Sequence, residues 1–159
     1  MWLILHYTAK SAYNGLPNTT EIQVQQIPHL LISHLFLMSK EIIRDNIIDT
    51  IIEGAQERKG HNITIVDMSL IEDTPVSKFV IVEGNSRQQV AAIADSVREY
   101  VQEHASQKPY NYDGYVNSEW IVIDYGHILA HIFVPEARQR YNLEDLWADA
   151  QITEIPDLD

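Results

Sequence analysis

The sequence predicts an α/β fold, a small mixed β-sheet with helices packed on it. Three observations lead there. An isoleucine stripe at helical spacing follows Ser39, four short β-branched runs have the length of strands, and capped helical stretches alternate with those runs.

Each element has a local cause. Ser39 can cap a helix reaching about Lys59, with Glu41 in its first turn and Gly60 just past its end. Ile43, Ile47, Ile51 and Ala55 recur along it, and Ile42, Ile48 and Ile52 widen the stripe into a buried face. His61 to Met68 and Ser77 to Glu83 read as strands, the second broken by Gly84-Asn85. Ser86, followed by Gln89, forms a capping box for a helix to about His104, with Val90, Ile93, Ala94, Val97, Tyr100 and Val101 on one side. Lys108 to Asn117 reads as a loop. Trp120 to Asp124 and His127 to Phe133 then form a hairpin, with Tyr125-Gly126 as its two-residue turn. Pro135 opens a last helix, as proline can at a first helical position. The stretch after Trp147 has no apolar period and reads as a tail.

The hairpin has two unlike faces, because side chains alternate along a strand. Ile121, Ile123, Ile128, Ala130 and Ile132 make a smooth aliphatic face for a core. Trp120, Val122, Asp124, His127, Leu129, His131 and Phe133 make the other. A turn at Tyr125-Gly126 would set Asp124 opposite His127, Val122 opposite Leu129 and Trp120 opposite His131. A tryptophan, a carboxylate and two histidines are an odd choice for a purely structural layer, so function is sought on this face.

Composition narrows the classes. At 159 residues the length suits one domain with a proper core. The absence of cysteine excludes disulfides and thiolate metal sites and suits a reducing cytoplasm. Eleven Lys and Arg face 23 Asp and Glu, a net charge of −12, and residues 141–159 carry six acids and no base. Such a chain repels phosphates, so direct nucleic-acid readout is not expected. Residues 1–37 carry one base, Lys10, and one acid, Glu21, and lack the features of the rest. Their apolar runs fall short of the roughly 20 residues of a membrane helix, so no membrane is expected either. They read as an extension from an upstream start, poorly ordered, ahead of a domain at 38–147 and an acidic tail at 148–159.

Two blocks of residues resemble the ribosome silencing factor family, the Iojap-related proteins. One holds Trp120, Asp124-Tyr125-Gly126, His131, Pro135-Glu136-Ala137-Arg138 and Leu143-Glu144-Asp145-Leu146-Trp147. The other holds Phe79-Val80-Ile81 followed by Gly84-Asn85-Ser86-Arg87-Gln88-Gln89-Val90. The resemblance spans about Met38 to Trp147, with one departure, His127 where the family is commonly acidic. It implies a fold related to nucleotidyltransferases. It also implies binding to protein fourteen of the large ribosomal subunit, on the face that meets the small subunit. A domain seated there blocks subunit joining sterically and represses translation under nutrient shortage.

The enzyme alternative can be tested on the residues. Nucleotidyl transfer needs a small-residue turn at a helix start and a carboxylate pair for two metal ions. Gly84-Asn85-Ser86 has the first shape, but Asp124 has Gly126 where its i+2 partner would stand. The topology is therefore expected without its catalytic pair, and neither metal nor cofactor is expected. His127 and His131 share a face but sit roughly 13 Å apart on an extended strand, too far to share an ion. The partner-binding residues implied are Trp120, Asp124, Tyr125, Gly126, His131, Glu136 and Arg138, facing a basic ribosomal protein. Trp120 could be a core aromatic or an interface anchor, and the resemblance favours the anchor. Glu136 and Arg138 also read as an ordinary solvated pair. A nucleotidyltransferase-like enzyme and an acidic adaptor in ribosome assembly are the alternatives, and a homodimer is left open beside any of these readings.

Overall fold

The computed structural model describes residues 29–158; residues 1–28, most of the expected extension, lie outside the described residues, as do the side chains of residues 29, 30 and 40–46, including Ile42 and Ile43. The chain divides into two units, Met1–Met38 and Ser39–Asp159. The first helix, α1, spans His29–Gln56. Ser39 therefore lies inside a helix and not at its cap. Leucine and methionine, which make up half of residues 29–38, are strong helix formers, and one serine does not stop a helix.

Strand β1 (His61–Asp67) and β2 (Lys78–Glu83) follow, then helix α2 (Arg87–Ala105) and strands β3 (Asn111–Asp113), β4 (Trp120–Asp124) and β5 (Ile128–Phe133). Helices α3 (Pro135–Tyr141) and α4 (Leu143–Leu146) and strand β6 (Gln151–Ile155) complete the order. The sheet runs β3-β4-β5-β2-β1-β6. Among the described strands only β2 and β5 pair in parallel, so the sheet is mixed as expected. Its two edge strands are the difference from the sequence reading. β3 falls in the expected loop and β6 in the expected tail.

One sheet face is aliphatic. Ile63, Val80, Val82, Ile121, Ile123, Ala130 and Ile132 are buried there, beneath Ile47, Ile48, Ile51 and Ile52 of α1 and Val90, Ile93 and Val97 of α2. Gly54 lets the two helices meet, since a Cβ there would lie 2.9 Å from the Cβ of Tyr100. Ser86 caps α2 through the Gln89 amide at 3.2 Å. The Gln89 side chain accepts from Asn85 N–H at 2.8 Å and donates to the Arg58 and Lys59 carbonyls, so one residue joins the end of α1 to the start of α2. Helices α3 and α4 lie over part of the opposite face, and that face holds the candidate site.

Candidate partner-binding face

The hairpin that builds the face turns one residue later than expected. Tyr125 N–H bonds Ile128 C=O at 3.0 Å, leaving Gly126 and His127 as the turn. Gly126 takes the first central position with φ +89°, where a type II′ turn wants glycine. A Tyr125-Gly126 turn would have required a positive φ of tyrosine. Trp120 therefore pairs with Phe133 and Val122 with His131. The register moves by an even number of residues, so each side chain keeps its expected face.

Trp120 is half-buried in an aromatic stack. Its ring lies 5.0 Å from Phe133 and 4.8 Å from Tyr141, centroid to centroid. Its indole Nε1–H donates to His131 Nδ1 at 3.2 Å. His131 is 4 % exposed, its ring edge-on to Phe79 at 4.7 Å, and burial pushes its pKa down to about 4. The imidazole is thus neutral, with its proton on Nε2, and Nε2 finds no hydrogen-bond partner among the described residues. Trp147 continues the cluster, edge-on to Phe79 at 6.3 Å.

The loop that delivers Trp120 is tightly held. Gly114 sits at φ +101°, and a Cβ there would come within 2.0 Å of the Trp120 carbonyl oxygen. Glu119 is ion-paired with Arg87 of α2, and its carbonyl accepts the Val134 amide at 2.9 Å, just before α3 begins.

The other expected site residues separate into surface and support. Asp124 is half-buried and accepts the Gly126 amide at 2.6 Å, leaving it both a turn residue and a negative group at the rim of the face. Glu136 is exposed in the first turn of α3. Tyr125 is placed differently. It is 4 % exposed on the helix-covered side, and burial pushes its phenol pKa up. Arg138 is not half of a solvated pair with Glu136. Its side chain is 13 % exposed and reaches Glu83 at 3.3 Å, Glu144 at 2.6 Å and Thr64 Oγ1 at 2.9 Å, tying α3 to β1, β2 and α4. Two of these partners, Glu83 and Thr64, are far away in sequence, which is why local spacing missed them. Tyr141 was missed too; its signal was an aromatic three residues after Arg138, on the sheet-facing side of α3.

The face shows part-exposed Val122, Leu129 and Trp147, with Tyr141 50 % exposed beside Trp120. Among the described residues no cluster of three or more His, Asp or Glu could hold a metal ion. The geometry defines a class: a small acidic α/β domain with an aromatic, acid-rimmed sheet face.

The profile of one family, described as ribosomal silencing factor during starvation, matches residues 41–159, and the chain belongs to that family. It is 34 % identical over 107 residues to the ribosomal silencing factor RsfS of Halalkalibacterium halodurans, covering 65 % of this chain and 87 % of that one. It is 26 % identical over 114 residues to the mouse (Mus musculus) mitochondrial assembly of ribosomal large subunit protein 1, covering 68 % of this chain and 50 % of that one. A crystal structure of a Chromobacterium violaceum protein superposes with a TM-score of 0.62 at 29 % identity, covering 65 % of this chain and 85 % of that one.

Proposed function

We propose that this protein is a ribosome silencing factor that binds the large ribosomal subunit through the Trp120 face and blocks subunit joining. Its contact is a basic ribosomal protein, protein fourteen of the large subunit, and it acts by occupying space without catalysis, in the cytoplasm. The observation that carries the reading is the half-buried Trp120, held by Phe133, Tyr141 and His131 amid exposed apolar groups. Rigid aromatic anchors surrounded by such groups supply most of the binding energy in protein interfaces. A net charge of −12 suits a basic partner and disfavours RNA. Trp120, Asp124, Gly126 and Glu136 form the contact surface, while His131, Tyr125 and Arg138 support it from below. An interface of this kind needs on the order of 1,200–2,000 Å² of buried surface.

Adding the purified protein to separated subunits and following their association by light scattering tests this. Joining should fall as the protein saturates large subunits, and the protein should sediment with free large subunits but not with intact ribosomes. A role in large-subunit assembly is the second reading, favoured by the name of the mouse relative. Co-sedimentation with assembly intermediates, together with unimpaired joining of mature subunits, would select it.

A further inference from the structure

Three contacts hold the Trp120 indole, and they differ in what they fix. Phe133 lies nearly parallel to it, at 19°, and Tyr141 is tilted at 42°. Ring contacts of this kind hold the plane of an indole but weakly resist sliding and turning within that plane. The hydrogen bond from Nε1–H to His131 Nδ1, at 3.2 Å, is directional and ties one edge of the ring inward.

His131 is a costly way to fill its place. It packs among Phe79, Phe133 and Trp120, where a phenylalanine would bury no polar atoms. Its Nε2 is buried with no partner among the described residues, which opposes folding. What histidine offers here and phenylalanine does not is the Nδ1 acceptor.

We propose that His131 is a positioning residue: its Nδ1 fixes the orientation of the Trp120 indole and so sets which edge of the ring a protein partner meets. The inference rests on the reading that the Trp120 face is the binding surface. Because His131 is 4 % exposed, it acts through Trp120 and makes no contact of its own with the partner. A pre-set anchor binds more tightly because less freedom is lost on association.

The test uses the full chain, purified large ribosomal subunits as the probe, and NMR of the indole N–H signals, with that of Trp120 identified by its loss in Trp120→Ala. In the unsubstituted protein this N–H should exchange slowly with solvent. His131→Phe should keep the fold, speed that exchange and weaken binding to large subunits about tenfold, the worth of one hydrogen bond. His131→Asn, which carries a carbonyl oxygen near the Nδ1 position, should recover part of both. Fast exchange in the unsubstituted protein would overturn the proposal whether or not the variants fold. So would His131→Phe binding normally where folded Trp120→Ala does not, and that outcome would leave the binding face intact. If folded Trp120→Ala itself still binds, the assignment of the face is what fails.

Discussion

Through His131 the stability of this protein falls as pH drops. Burial holds its pKa down to about 4, against about 6.5 in an unfolded chain. Between those values the unfolded chain binds a proton that the folded one does not. Stability from this residue is therefore full above pH 6.5, falls as pH drops toward 4, and changes no further below that. The loss should reach about 3 kcal/mol at most. Urea melts at steps between pH 7 and 4 would show the slope, and His131→Phe should flatten it. An equal slope in the variant would mean that other groups carry the dependence. Much at this scale was legible: Trp120 and His131 could be placed on the unlike face by strand alternation alone. That they would be diagonal neighbours joined by a hydrogen bond was not, because it depends on which two residues make the turn.

Among the elements, those anchored by an apolar pattern were readable and those held by backbone pairing were not. The isoleucines of α1 and the alternation of β4 and β5 announced themselves. β6 is a mostly exposed edge strand that joins the sheet through its backbone pairing to β1, from Ile63 with Ile155 to Asp67 with Gln151, and its isoleucines, Ile152 and Ile155, make no alternating apolar pattern. β3 is only Asn111–Asp113, every residue exposed, and is steadied from outside by Arg98 lying 3.9 Å over the Tyr112 ring. Two predictions belong here. Gly114→Ala combines a positive φ with a collision against the Trp120 carbonyl, so it should cost about 2–4 kcal/mol and disturb the entry to β4. A melting curve unchanged from the parent would refute that geometry. Arg138→Ala would leave Glu83 and Glu144 facing each other in a largely buried site, a loss of roughly 2–4 kcal/mol. Double-mutant cycles with Glu144→Gln would show the coupling, and additive losses would mean that the α3 clamp is not a unit.

For the whole molecule, the layers divide the labour. The aliphatic side of the sheet, under α1 and α2, provides stability; the opposite side is covered only in part by α3 and α4 and leaves aromatic surface at Trp120, Tyr141 and Trp147. The charge of −12 should draw a basic partner over distance, so association should slow as salt rises toward the range where the Debye length is about 8 Å. Trp120 belongs both to the aromatic packing and to the proposed binding face, so its truncation is the sharpest probe of that proposal. Trp120→Ala should be compared with the parent by denaturant melts and by subunit joining in parallel. The variant should be folded, somewhat destabilised, unable to bind large subunits and unable to stop joining, because a central anchor typically contributes ~2 kcal/mol or more. A folded variant that blocks joining as well as the parent, or one that loses binding only because it unfolds, would contradict the proposal.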